Sequence, residues 1–503
     1  MSLAAAEATR LEIRSPVTGE VVGSVARAGG EEIARAVERA RAAQPTWAEA
    51  GFRDRARIVR RFAERLKQRQ EEILDTLQDE TGKTRRDALA EVLTVARTCQ
   101  YYLAHGRRFL AERRRPGAVP GLTGARETFA PHGVVGFVTP WNYPLILGIG
   151  DAIPALLAGN AAVVKPSELT PLSAVAAVEL LAEAGLPDGL AQLVHGGGEV
   201  GAELVKRVDY VAFTGSAATG RKIAVAAGER LIPYSLELGG KNPLVVLDGA
   251  PIDRAVEGFV AGAFFNSGQT CIAVERAYVE RTIYDEFVDK AIARTRRLAL
   301  GYSRQWDVDV GSLISAAHAD KVMRQVEEAR DLGGEILTGG RRRPDLGPAF
   351  VEPTLLAEVP RSAELHDEET FGPVVALYPV DDADEAVTRA NDTPYGLNAS
   401  IWGPDGRRSL AIARRLDTGS ASINSALLIY HSFAVPMGGI KQSGVGRRHG
   451  AIGIRRFTQS RSIVSSTSLA GGYDGILARV GSATGARLLA ALFYLRAKIP
   501  GLR

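Results

Sequence analysis

The residue in this chain best suited to chemistry is Cys271, which closes the stretch Phe264-Phe265-Asn266-Ser267-Gly268-Gln269-Thr270-Cys271. A thiol attacks an electrophilic carbon once it is reachable and partly ionised, and a glycine-bearing turn leaves a side chain presented in a cleft. The competing account is a small buried hydrophobe, because unpaired cysteine is among the most buried residue types. The only other cysteine, Cys99, lies in the helix-like stretch from Thr94 to Tyr102 and reads as packing. Two cysteines make no disulfide scaffold, which fits a reducing compartment and leaves a thiol free to react.

Further stretches carry groups that a thiol would need. Thr139-Pro140-Trp141-Asn142-Tyr143-Pro144 ends an apolar run, and Asn142 could donate to an oxyanion or merely satisfy its own turn. Lys165-Pro166-Ser167-Glu168 places a lysine and a carboxylate just past another apolar run, where they could hold a ribose or pair in solvent. A carboxylate there would repel a 2′-phosphate, favouring NAD over NADP. Thr214-Gly215-Ser216-Ala217-Ala218-Thr219-Gly220 could receive a phosphate at a helix start, although it is not the G-x-G-x-x-G fingerprint. Glu237, ahead of Gly239-Gly240-Lys241, reads as a general base with a raised pKa, or as the partner of Lys241 in a buried ion pair.

These groups need rigid elements to place them. From Glu31 to about Phe109 the pattern is helical, with Ile58, Phe62 and Leu66 recurring every four residues. Between His132 and Leu238 short β-branched runs alternate with helical ones: Val134 to Thr139, Ala161 to Val164, Leu190 to Val194, Tyr210 to Phe213 and Ile232 to Glu237. That alternation predicts a doubly wound parallel sheet, an α/β fold whose strand ends line a ligand crevice. A second α/β series runs from Lys241 to about Ile440 and contains Cys271. At 503 residues the chain is too long for one core, and 62 Lys+Arg against 58 Asp+Glu is too even a balance for a nucleic-acid partner. Met1 to Arg10 lacks the pattern of a secretory signal and no stretch is long enough to span a bilayer, so a cytoplasmic protein is expected.

Taken in order, Thr139 to Pro144, Lys165 to Glu168, Phe213 to Ser216, Glu237 to Asn242, Asn266 to Cys271, Glu368 to Pro373 and Met437 to Gly444 strongly resemble the aldehyde dehydrogenase superfamily, from about Glu12 to Ile463. The resemblance implies Cys271 as nucleophile, Glu237 as the base for the deacylating water, and Asn142 with the Cys271 N–H as the oxyanion hole. It places Lys165 and Glu168 on the adenosine ribose, Gly215, Ser216 and Gly220 along the pyrophosphate, and Glu369 and Phe371 at the nicotinamide ribose and ring, with Trp141 and Ser167 also among the cofactor-binding residues. NAD is the expected cofactor, with NADP possible, and no metal is expected. The implied fold is a Rossmann-like NAD-binding domain (1–112 and 132–239), an α/β catalytic domain (240–440) and oligomerisation strands (113–131 and 454–466) that build a homodimer or homotetramer. Retention of Glu237 points to hydrolysis, since relatives that pass the acyl group to coenzyme A usually lack that base.

The runs Ile272 to Arg276 and Gly444 to Gly450 look like bacterial succinate-semialdehyde dehydrogenases. Where those place arginines for the distal carboxylate, this chain has Gly150 and Phe265. With Leu145, Leu147, Phe264 and Ile272 also near the expected tunnel, a hydrophobic aliphatic or aromatic aldehyde is the expected substrate, with succinate semialdehyde the alternative. The loop from Asn424 to Pro436, with Leu428, Tyr430 and Phe433, is expected to close the tunnel mouth. The tail from 468 to 503 sets Arg479, Arg487, Arg496, Lys498 and Arg503 against Asp474 around an apolar run from Leu488 to Leu495. It reads as a helix packed on a neighbouring subunit or as an interfacial helix touching an anionic membrane.

Overall fold

Four helices, Gly30–Glu49, Gly51–Gln68, Gln70–Thr81 and Arg85–Leu110, form the layer that the apolar stripe predicts. Phe62 and Leu66 are fully buried and Cys99 packs among them. This computed structural model describes residues 10–119, 122–467, 472–478, 480–481 and 483–498.

Beneath the helices lies a six-stranded sheet in the order Gly444–Val445, Tyr234–Glu237, Tyr210–Thr214, Val134–Val138, Ala161–Lys165, Ala191–Leu193. All neighbours are parallel except the short edge strand Gly444–Val445, which runs antiparallel beside Glu237. Every residue of Val134–Val138 and Ala161–Lys165 is buried, as expected of central strands covered on both faces. Strand order reverses between these two and Tyr210–Thr214, so the carboxyl ends around Thr139, Lys165 and Thr214 open onto a crevice. The crossover helix Leu172–Glu183 begins at Thr170-Pro171, where the Leu172 and Ser173 N–H groups donate to the Glu80 carboxylate at 2.7 and 3.1 Å.

A second, seven-stranded sheet runs Glu335–Thr338, Thr354–Ala357, Val374–Val380, Val274–Glu280, Asn242–Val246, Asn398–Trp402, Ser420–Ile423, parallel apart from the first pair. A third sheet of three antiparallel strands, Thr458–Ser466, Thr123–Pro131 and Arg113–Arg115, leaves nearly all of Thr458–Ser466 exposed. Residues 454 and 455, expected in that strand, instead end the helix Gly450–Arg455. In the tail, Gly472–Ala478 and Ala483–Lys498 are helical. The side chains of Leu488, Leu489, Leu492, Phe493, Leu495, Arg496 and Lys498 lie outside the described residues, and so do Arg479 and Arg503. No helix among the described residues is long and apolar enough to cross a membrane.

Candidate active site

The turn leading to Cys271 is left-handed at three successive residues, Asn266 (φ 52°), Ser267 (φ 56°) and Gly268 (φ 72°). Such backbone is costly for residues with a Cβ and persists only where neighbours impose it. Here Asn266 Nδ2 donates to the carbonyls of Gln269 and Asn142, both at 3.1 Å, and Ser267 Oγ donates to Gly311 O at 3.0 Å. Gln269 Oε1 accepts from Ile314 N at 2.9 Å. A Cβ on Gly268 would lie 2.1 Å from the Gly372 carbonyl, so the turn is pressed against the Glu369 to Gly372 loop.

The turn presents Cys271 to a cavity of about 220 Å³ between the first sheet's strand ends and the second sheet, and Glu237 and Asn142 line it too. Burial pushes the Cys271 thiol up to about 12; the Arg448 cation opposes this and the Glu237 and Glu369 carboxylates add to it. The thiol therefore needs a base, and Glu237 suits the task. Burial raises its carboxyl to about 7, with Arg448 again the largest opposing influence. Its Oε1 is buried with no hydrogen-bond partner. The alternative ion pair with Lys241 is ruled out by the geometry, because Lys241 Nζ is bonded to Glu275 Oε2 at 2.6 Å.

Asn142 Nδ2 donates to Gln269 O at 3.0 Å, which engages one N–H of an amide that has two. Its loop is clamped by groups that sequence reasoning missed. Lys83 Nζ donates to Asn142 O at 2.9 Å, and Glu91 Oε2 accepts from the N–H groups of Leu145 and Ile146 at 3.1 and 3.2 Å. Lys83 and Glu91 also pair with each other, both almost fully buried. The available signal was Glu91 itself, a carboxylate on the same face as Ala88, Val92, Val95 and Cys99 of one apolar helix stripe.

The opposite wall suits a dinucleotide. Gly215 and Ser216 line it where Tyr210–Thr214 runs into the helix Ala217–Glu229, whose N-cap Ser216 Oγ accepts from Thr219 N. Trp141 meets Phe371 edge-on at 5.4 Å and His318 at 5.6 Å. Glu369 Oε1 accepts from Gly240 N at 2.9 Å, and a Cβ on Gly239 would come within 2.3 Å of its carboxylate, so that cradle requires glycine. Burial, reinforced by Glu275, raises the Glu369 carboxyl to about 8, so it can donate as well as accept. His318 and Lys321 join this wall without having been singled out in sequence; His318 bonds the Phe371 carbonyl at 2.8 Å.

Several expected residues lie elsewhere. Gly220 does not line this cavity, and a Cβ there would meet Leu238 at 2.7 Å. Lys165, Ser167 and Glu168 sit off the cavity at the end of the neighbouring strand, with Lys165 Nζ 3.1 Å from Glu168 Oε2. Of the expected substrate residues, Leu147 lines the cavity but Gly150, Phe265 and Ile272 do not. Residues 147 and 150 would share a face of an α-helix, but Ile146–Gly150 forms a wider π-helical turn that turns Gly150 toward a smaller chamber beside Asp151. Phe265 packs on the core of the first sheet, and Ile272 joins Leu397, Ile429 and Met437 beneath the nucleophile turn. In the 424–436 loop only Tyr430 of the three named residues reaches the cavity; Leu428 is exposed and Phe433 is buried against His449.

Known proteins place the chain in a family. The sequence pattern of the aldehyde dehydrogenase family matches residues 3–463. A Mycolicibacterium smegmatis protein provisionally named succinate-semialdehyde dehydrogenase (NADP+) is 44% identical over 459 residues, covering 91% of this chain and 89% of its own. Glutarate-semialdehyde dehydrogenase of Pseudomonas aeruginosa is 34% identical over 455 residues, with 89% and 92% covered. Among solved structures, an NADP-dependent enzyme of Escherichia coli superposes with TM-score 0.88 at 33% identity, covering 91% of this chain and 95% of that one. Betaine aldehyde dehydrogenase of Staphylococcus aureus in complex with NAD+ gives 0.87 at 32%, covering 92% of each.

Proposed function

The chain belongs to the aldehyde dehydrogenase family and is an NAD(P)-dependent oxidoreductase, and from that premise we propose that it oxidises an aldehyde to its carboxylic acid through a thioester on Cys271. The observation that carries this reading is that Cys271, Glu237 and Asn142 line one cavity. Glu237 takes the thiol proton as sulfur adds to the aldehyde carbon, and the Asn142 amide with the Cys271 N–H holds the resulting oxyanion. Gly215, Ser216, Glu369, Trp141 and Phe371 would hold the cofactor in the cavity, with Lys165, Ser167 and Glu168 beyond it at the ribose. When bound, NAD(P) supplies the acceptor for the hydride that leaves the thiohemiacetal carbon, which thereby becomes a thioester. Glu237, having passed the thiol proton to solvent, then deprotonates the water that cleaves the C–S bond and returns that proton to the departing sulfur, releasing the acid and the thiol. Absorbance at 340 nm together with titration of released acid tests the scheme: NADH with equimolar acid, lost in Cys271→Ala, is expected, and acyl transfer only to coenzyme A would refute it.

The names of the relatives favour a short semialdehyde with a distal carboxylate. A second reading, a hydrophobic aldehyde, is favoured by the wall itself: Tyr143, Leu147, Tyr430 and Met437 line it, and its arginine, Arg448, is already engaged by Asp151 and Thr214. The ratio of kcat/KM for succinate semialdehyde to that for octanal and benzaldehyde decides between them. The exposed strand Thr458–Ser466 supports a homodimer or homotetramer. A subunit or membrane contact of the basic tail in a cytoplasmic protein is tested by deleting residues 468–503 and comparing sedimentation with anionic liposomes and with the protein alone.

A further inference from the structure

Arg448 stands beside the proposed base without closing on it. Its Nε is 3.9 Å from Glu237 Oε1, and both atoms are buried with no hydrogen-bond partner. The rest of the guanidinium is held from the other side, where Nη2 donates to Thr214 Oγ1 at 2.6 Å and lies 2.9 Å from Asp151 Oδ2. Asp151 Oδ1 in turn faces Arg456 at 3.4 Å. The backbone fixes the arrangement as well: Arg448 and Met437 exchange N–H···O bonds, and Gly444–Val445 pairs with Glu237 and Leu236.

This stand-off has a chemical consequence. A carboxylate in a closed, bidentate arginine pair stays ionised but is a poor base, and a buried carboxylate with no cation nearby stays protonated at neutral pH. We propose that Arg448 is a positioning residue for deacylation, anchored by Asp151 so that it keeps Glu237 ionised while leaving Oε1 free to take a proton from water. The proposal rests on the reading of Cys271 and Glu237 given above. The charged or titratable groups facing Glu237 are Arg447, Arg448, Arg456, Asp151, Cys271 and Tyr210. Of these, Arg447 is spent on the carbonyls of Gly439 and Gly446 at 2.8 and 2.6 Å.

The two ends of the anchor should act with opposite sign. Removing the cation disfavours the ionised carboxylate, so in Arg448→Gln the pH at which deacylation becomes half-maximal rises by ~1 unit or more. Removing the anchor in Asp151→Asn lets Arg448 close on Glu237, so the half-maximal pH falls and the plateau rate falls with it. Arg448→Lys retains the charge and moves the midpoint back toward that of the unsubstituted enzyme. The holoenzyme is acylated in a single turnover with NAD and aldehyde, quenched at successive times, and the acyl adduct on the intact protein is followed by mass at each pH. Adduct mass counts competent sites, so any misfolded fraction drops out of the rates. Midpoints that stay put in both variants, or move the same way in both, overturn the proposal. If Arg448→Gln forms no adduct, Asp151→Asn and Arg448→Lys decide alone, and unchanged midpoints in both overturn it. Glu237→Gln is the separate control: deacylation at the unsubstituted rate there would refute the assignment of the base itself.

Discussion

Cys271 and Glu237 face one cavity, but burial displaces them unequally, the thiol to about 12 and the carboxyl to about 7. Near neutral pH the carboxyl therefore ionises far more readily than the thiol, and under the proposed scheme Glu237 is the group that sets the pH profile. The ionised form is the active one, so deacylation is expected to climb through about pH 7 and level off above it, as stopped-flow measurements across pH 5.5 to 9 would show. Glu237→Gln should slow both the first turnover of NADH, which needs the thiol proton removed, and the deacylation that follows, each by ~10²-fold or more, the usual worth of a general base. Loss of the Asn142 donor should also slow the first turnover, by ~10²- to 10³-fold in Asn142→Ala. At the far end of the expected cofactor path, Glu168 is the half-exposed partner of Lys165. Glu168→Gln should raise the ratio of kcat/KM with NADP to that with NAD, because it removes a charge that repels a 2′-phosphate.

At the scale of elements, the site depends on a strained turn and a clamped loop. The Gly268 backbone sits at φ 72° with the Gly372 carbonyl where a Cβ would go. Gly268→Ala should therefore displace the nucleophile turn, lowering acylation more than cofactor affinity, as separate burst and NADH-binding measurements would reveal. The oxyanion loop is held from the helical layer by Lys83 and Glu91. Breaking a buried pair by removing one partner typically costs ~3–5 kcal/mol, so Lys83→Met should lower the unfolding midpoint in urea, whereas a double change that also neutralises Glu91 should recover part of the loss.

For the whole molecule, the nine-residue strand Thr458–Ser466 is an edge strand of its sheet with Ile463 52% and Val464 77% exposed. A long unpaired edge is an aggregation hazard unless another chain pairs with it. Val464→Lys should shift sedimentation-equilibrium mass toward the monomer; an unchanged mass would place the subunit contact elsewhere.

The sequence by itself determined the architecture and singled out the candidate catalytic groups, because both reside in local patterns. Cys271 after its glycine turn, Glu237 at a strand end and Asn142 between stiffening prolines are legible as residue types in context, and alternating apolar runs suffice to predict parallel sheets under a helical layer. Gly220 and Gly150 show where that legibility ends: a glycine has no chemistry to read, and whether it admits a phosphate, a substrate or Leu238 depends on what the fold brings against it. The π-helical turn at Ile146–Gly150 changed which residue reaches the cavity through a hydrogen bond one residue longer than periodicity assumes. Lys83, Glu91, Asp151 and Arg448 are far from Cys271 in the chain and look like ordinary charges in sequence. Only the tertiary structure decided their roles, by removing them from water and leaving each other and the catalytic groups as their partners.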